Sequence, residues 1–290
     1  MKASFAMERM IGQTMMQYLE LPSSGHLLDS GFVQGDEILS AKDLQAQYLA
    51  LQELLIAQPT PQADSHRRSK RSVLIDFPRH SYGAWPKGPD GKVLVAYRFV
   101  DGPSPSTRWT AKRRASLLEA LHSIQNHSCI RFREAEEAKK DVIKLELVKS
   151  VRCAATVGKR RGANYLFLHR RCFLKRGTVI HELLHNLGVK HEHQRLDAVG
   201  MHIELVEANI RESALRNFFL DYDLDPIITW DTPYDYKSVM HYSARAFAKD
   251  PKEYTILALR EGFQKEMGQR RRMSEWDKVG LNRAYDCGLI

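Results

Sequence analysis

Apolar and polar residues alternate through residues 92–100, with Val93, Val95, Tyr97 and Phe99 on one side of an extended chain, so a β-strand is expected there. The period then lengthens. Over Thr110–His127, Ala111, Ala115, Leu118, Leu121 and Ile124 recur at helical spacing. Cys129–Arg133 and Val142–Val148 return to strand character, and Tyr165–Leu168 reads as an edge strand. A helix is expected from about Arg176, and a closing one over Ser274–Asp286, where Trp276, Val279, Leu281 and Tyr285 are the apolar positions. Helical pieces are expected within Ile203–Phe219, and a loop-rich stretch over Asp221–Asp235. Strand, helix, strands and then helix again predict an α+β fold, a mixed sheet packed on helices.

The first 71 residues differ in pattern. Amphipathic stretches around Glu8–Leu21 and Ile38–Ala57 predict helices, with a turn-like Gly31–Glu37 between them. Gln58–Ser65, polar with two prolines, reads as an exposed linker and ends in Arg67-Arg-Ser-Lys-Arg71. Such a cluster can be a solvated surface or a nucleic-acid contact. After a flexible linker at a domain boundary it is read here as a protease cleavage site, between Arg71 and Ser72. The expected division is therefore a small removable segment, 1–71, and a catalytic-sized domain, 72–290. Met1–Gly12 makes a poor signal peptide because its apolar stretch is short and broken by Glu8 and Arg9. Either the start lies upstream or export uses a weak signal.

Composition narrows the class. The 290 residues are 43% apolar and 27% charged, as in an ordinary folded protein. No run approaches the roughly 20 apolar residues of a membrane span. The net charge of +9 is uneven: residues 1–71 carry seven Lys/Arg against eight Asp/Glu, and the remainder 37 against 27. A basic domain favours acidic or polyanionic partners, although a basic surface needs no partner at all. Cys129, Cys153, Cys172 and Cys287 form no C-x-x-C pair, so two disulfides in an oxidising compartment are expected, with three pairings open. Asn126-His127-Ser128 is a glycosylation sequon.

The chemistry concentrates in His181-Glu-Leu-Leu-His185 and the residues after it. Two histidines four apart share one helical face and can converge on one metal ion. Gly188 permits a sharp turn that swings His191 back as a third nitrogen ligand. Three neutral imidazoles with an open position describe a catalytic zinc site rather than a closed structural one. Glu182 is placed to take a proton from a metal-bound water. A bare H-E-x-x-H is also compatible with a solvated helix end, but here the glycine and third histidine fall where the extended pattern needs them.

The chain resembles the astacin family of metzincin zinc proteases. His181, Glu182, His185, Gly188, His191, Glu192, Arg195 and Asp197 meet every fixed position of its first motif, and Ser238, Met240, His241 and Tyr242 meet its second, S-x-M-H-Y. The resemblance covers about Trp85 to Cys287 and implies a zincin-type catalytic domain. That fold has a twisted mixed sheet, two long helices and an active-site cleft, preceded by a propeptide. It implies one zinc ion held by His181, His185 and His191. Tyr242 would be a switchable fifth ligand that stabilises the oxyanion, and Met240 the apolar floor beneath the metal. It implies disulfides Cys129–Cys287 and Cys153–Cys172, and Glu192 meeting the amino terminus released by processing. Tyr165–Leu168 resembles the strand that holds an extended substrate. Gly35-Asp36 resembles the propeptide motif whose aspartate occupies the zinc, although Phe32 is shifted from the family's aromatic position. Asp36 is otherwise a plain turn residue.

The expectation is a secreted, monomeric zinc endopeptidase acting on proteins or peptides, made latent and released by an activating protease. The alternative is a catalytically silent relative that binds matrix or polyanions through its basic surface; no ligand or base is missing, which argues against it. Nucleic-acid binding finds no aromatic-basic motif.

Overall fold

The computed structural model describes residues 83–288, apart from 137–140, 151, 161, 163, 219–226 and 229, together with short strands at 32–34, 37–39 and 74–75. Asp36, Arg71, Ser72 and the stretch expected to be helical over Glu8–Leu21 lie outside the described residues. Two strands, β1 (Phe32–Gln34) and β2 (Glu37–Leu39), pair antiparallel with Gln34 opposite Glu37. This corrects the helix expected from Ile38 at its start; its remainder lies outside the described residues. A third strand, β3 (Leu74–Ile75), precedes the main body.

The main body opens with β4 (Val93–Val100), whose Val93, Val95 and Tyr97 are buried in alternation, as the pattern predicts. Next comes helix α1 (Ala111–Gln125), entered at Thr110, whose side chain accepts the Arg113 amide. Its buried face is Leu117, Ala120, Leu121 and Ile124. Ala111 and Ala115, expected on that face, are exposed. Buried positions on α1 begin only at Leu117, past its first turn. Then come β5 (Ile130–Glu134), β6 (Ile143–Leu147), β7 (Cys153–Thr156) and β8 (Asn164–Leu168), and the buried helix α2 (Arg176–Asn186). After it, β9 (Ile203–Leu205) pairs with β11 (Ile256–Ala258), and β10 (Ile227–Ile228) pairs with β3. Ile203 thus begins a strand rather than a helical piece, and short 3₁₀ turns come after it. Helix α3 (Glu275–Ala284) closes the chain.

The sheet runs β1-β2-β7-β8-β6-β4-β5. β8, β6, β4 and β5 are parallel neighbours, whereas β7 is antiparallel to β8. This moves the edge assignment. Tyr165–Leu168 lies inside the sheet, between β7 and β6, and the outer strand of the five-stranded unit is β7, with β2 paired parallel to its far side. β7 escapes a pattern reading because Cys-Ala-Ala-Thr lacks the bulky alternation of its neighbours.

Two apolar clusters result. One, from the sheet, α1, α2 and α3, includes Ile130, Leu145, Leu166, Ile180 and Met240. The other, built after the third histidine, includes Ile203, Phe218, Tyr234, Tyr242 and Ile256. Disulfides join Cys129 to Cys287 and Cys153 to Cys172, so the first ties the start of β5 to the residues after α3. No helix among the described residues is long and apolar enough to cross a membrane.

One contact fixes the start of α2. The Gly177 amide donates to the Arg270 carbonyl at 3.0 Å, and a Cβ added to Gly177 would lie 2.2–2.5 Å from the Arg270 and Arg271 backbone. Glycine to alanine in a helix normally stabilises by about 1 kcal/mol. Here Gly177→Ala is expected to destabilise by roughly 2 kcal/mol or more through overpacking, measured by chemical denaturation. A stabilised variant would show that the close approach is not required.

Candidate metal centre

Helix α2 ends in a Schellman turn. Leu187 caps it, Gly188 comes next at φ +89°, the Gly188 amide donates to His185 O at 2.8 Å, and the Val189 amide donates to Leu184 O at 3.0 Å. The left-handed backbone at Gly188 is the one its glycine permits without steric conflict. Distant segments also reach the carbonyls at this helix end: Gly158 N–H donates a second bond to His185 O, the Trp85 indole donates to Asn186 O, and the Tyr285 hydroxyl to Leu187 O. Asn186 also donates to Thr156 O and Tyr165 O, which ties the helix to β7 and β8.

The turn brings His191 against His181 and His185. One ring nitrogen of each lies within 4.8 Å of the others, and all three residues are buried. Their Nδ1 atoms are held by oxygens: His181 by Val239 O at 2.8 Å, His185 by Val189 O at 2.7 Å, and His191 by Gln194 Oε1 at 3.3 Å. Because these oxygens accept, each Nδ1 carries the proton and each Nε2 presents a lone pair. His185 Nε2 and His191 Nε2 stand 3.2 Å apart. Two such lone pairs repel unless a cation sits by them, so the donor set fits a metal ion, and three imidazole nitrogens suit zinc. Glu182, between the first two ligands on α2, is buried beside them.

The acceptor for His181 is set from the C-terminus. Val239 belongs to the turn Ser238–Met240, and Asp277 of α3 grips that turn. Its Oδ1 accepts the Ser238 hydroxyl at 2.6 Å and its Oδ2 accepts the Val239 amide at 2.9 Å. The Ser238 hydroxyl oxygen in turn accepts the Met240 amide at 2.9 Å. Met240 is buried within the first cluster, and its carbonyl accepts the Glu192 amide. Two residues on, Tyr242 belongs to the second cluster. Its ring stacks on His193 at 4.0 Å and meets His191 at 4.5 Å. Between them, His241 donates from Nδ1 to Tyr242 O and accepts the Tyr234 hydroxyl at Nε2, and burial lowers its pKa to about 4.

Glu192 faces away from the histidines. Its Oε1 accepts from Arg195 and from the Asp235 amide, both at 2.9 Å. Arg195 uses all five of its donors, on Glu192, both oxygens of Asp197, Thr232 O and Pro233 O. Beyond Glu192 is a cavity of about 20 Å³ lined by Asp235, Asp277, Thr232, Met240 and Trp276. Burial pushes the Glu192 carboxyl up to about 7 and that of Asp277 up to about 6.

Asp277 is the functional residue that reasoning from the sequence misses. Its signal is the capping pair Ser274-x-x-Asp277: the Ser274 hydroxyl accepts the Asp277 amide, and Asp277 Oδ2 accepts the Ser274 amide. That pattern announces a helix start and says nothing of the reach to Val239. Asp277→Ala strands three donors, two of them on the buried residues Ser238 and Val239. It is expected to destabilise by about 3 kcal/mol and to weaken zinc binding about tenfold, read by denaturation and by chelator competition. Unchanged zinc affinity would refute the link to His181. Because the folded pKa lies above that of the unfolded carboxyl, about 4, unfolding releases this proton between about pH 4 and 6. Stability contributed by Asp277 therefore falls as pH rises through that window, and Asp277→Asn should flatten the fall.

Comparisons with known proteins meet this geometry. Residues 95–286 match the model of the Astacin peptidase family. The chain is 33% identical over 205 residues to zinc metalloproteinase nas-14 of Caenorhabditis elegans, covering 70% of this chain and 37% of that protein. It is 32% identical over 205 residues to low choriolytic enzyme of Oryzias latipes, covering 70% of this chain and 69% of that one. Among solved structures, high choriolytic enzyme 1, a hatching-enzyme zinc protease of the same fish, superimposes with a TM-score of 0.61 at 28% identity, over 71% of this chain and 95% of that chain. The chain spans less than half the length of nas-14 and of nas-28, two of the nematode relatives it matches. With the three histidines of its first motif gathered at one buried zinc centre, the chain belongs to the astacin family of zinc metalloproteases.

Proposed function

We propose that the protein is a secreted zinc endopeptidase, held latent by its N-terminal segment and released by cleavage between Arg71 and Ser72. The observation that carries the hydrolase reading is the convergence of three Nε2 lone pairs, each fixed by an acceptor on its other nitrogen, beside a buried glutamate. When bound, zinc lowers the pKa of a coordinated water toward about 7 and polarises the scissile carbonyl. Glu182 takes the proton as the water attacks and delivers it to the departing amine. The Tyr242 hydroxyl donates to the oxygen on which charge develops, its ring steadied by His193. Met240 closes the floor with an apolar side chain.

A protein or peptide substrate pairs as an added strand along β7, the outer strand of the five-stranded unit. β2 already pairs on that side, with Glu37 opposite Ala155 and Ile38 opposite Thr156. A strand edge takes one partner at a time, which supports latency in the uncut chain. Asp36, next to β2 in sequence, is the candidate to occupy the zinc. The acidic cavity beside Glu192 and Asp277 supports a later step, in which the amino terminus released by cleavage brings an ammonium to these carboxylates. β3, which begins two residues beyond the cut site, pairs with β10 and packs against α3, the helix that carries Asp277. The two disulfides support an extracellular setting.

Two experiments test this reading. Glu182→Gln is expected to keep about one zinc per chain while kcat/KM on a peptide library falls by roughly 10³ or more. Cleavage that persists equally in this variant, or in wild type stripped of zinc, would end the zinc-protease reading. Second, Arg71→Ala in the full chain should stay latent when exposed to an activating protease, whereas Asp36→Ala should gain activity, about tenfold or more, without being cut. Full activity of the intact wild-type chain would remove the latency mechanism.

A further inference from the structure

From Leu147 to His181 the sequence has nine Lys or Arg and no Asp or Glu, and from Gly102 to Leu118 it has four and none. The fold sets these two stretches side by side. The Trp109 ring, just before α1, meets the Phe173 ring edge-on at 6.0 Å in the 3₁₀ turn Arg170–Leu174, and α1 packs along α2. The first stretch contributes Arg108, Lys112 and Arg113, with the Arg113 guanidinium held by Ser106 O and Arg108 O at 3.3 and 3.0 Å. The second contributes Arg170, Arg171, Lys175 and Arg176, all exposed. Among the described residues none of these seven cations pairs with a carboxylate. Burial, and then Arg170, Arg171 and Arg113 together, push the pKa of His169 down, which places cations from both stretches around one point.

Helix electrostatics supply an independent sign. The start of a helix carries partial positive charge and favours acids. α3 obeys, with Glu275 and Asp277 in its first turn. α1 and α2 have no acid there. α1 instead begins with Lys112, Arg113 and Arg114, and α2 begins with Arg176 after a lysine cap. Two helix starts and seven cations therefore repel one another on one face, an arrangement that folding alone does not favour and that a bound polyanion relieves.

We propose that this face binds a sulfated polysaccharide. Its cations are spread over an exposed surface rather than gathered in a pocket, which suits a repeating anionic chain. Of the two aromatic residues at its centre, Trp109 is buried with its indole on Leu145 O and Phe173 is half-buried edge-on against it, so neither offers an open ring face on which successive bases stack. It consists of a turn and two helix starts, with no sheet edge on which an acidic peptide could pair. This site is separate from the proteolytic reading and does not depend on it.

The test titrates the full chain with heparin oligosaccharides at several salt concentrations. It compares Arg170→Gln/Arg171→Gln/Lys175→Gln with a control of equal charge change, Lys252→Gln/Arg260→Gln/Lys265→Gln. The first variant should bind at least about tenfold more weakly, with the salt slope reduced by roughly 2, and the control should change by less than about threefold. Equal weakening by both variants, no heparin binding by wild type at physiological salt, or duplex DNA bound as tightly as heparin would each overturn the proposal. So would a first variant that keeps heparin affinity but cleaves acidic peptides more slowly, which would make these cations part of a substrate subsite.

Discussion

Three imidazole lone pairs aimed at one point repel, and the structure around them is arranged to hold them there. Each ring is fixed through its other nitrogen, to Val239 O, Val189 O or Gln194 Oε1. These acceptors come from three different places: the turn after Ser238, the residue after Gly188, and the 3₁₀ turn after His191. The metal geometry therefore depends on how segments far apart in the chain meet, and the orienting oxygens set it as much as the ligands do.

That dependence explains why the second motif lies on a seam. Met240 belongs to the sheet-and-helix cluster, whereas Tyr242, two residues later, belongs to the cluster built after the third histidine. A shift of one cluster against the other would move the Val239 carbonyl relative to α2. Three devices resist it: Asp277 grips the turn from α3, Arg195 spends its five donors on the acids and carbonyls beneath it, and Gly177 lets the Arg270 backbone pack against α2. The disulfide Cys129–Cys287 anchors the end of α3 to β5, so the Asp277 grip is referred back to the sheet.

The elements are legible where side-chain periodicity is strong. β4 shows the predicted alternation, and the order of strand, helix, strands and metal helix is the observed one. Where side chains are small, legibility fails. Cys-Ala-Ala-Thr is the outer strand of the five-stranded unit, while the bulkier Tyr165–Leu168, expected there, is flanked on both sides. Bulk reports burial and does not report order in a sheet, because order is set by connections between strands. The same limit applies to α1, whose apolar spacing begins at Ala111 although its buried positions begin only at Leu117.

By itself the sequence determined the ligand set, since His181, His185 and His191 with Gly188 leave few other ways to turn a helix end back on itself. It also determined the alternation of elements, because these are local consequences of spacing and backbone freedom. Only the tertiary structure decided what orients the ligands: the reach of Asp277 to Val239, the full engagement of Arg195, and the pairing of β2 on β7. It also gathered cations from positions 108–113 and 170–176 onto one face. These are contacts between residues tens of positions apart. Nothing in local spacing encodes them, because they arise from which apolar surfaces the chain buries against each other.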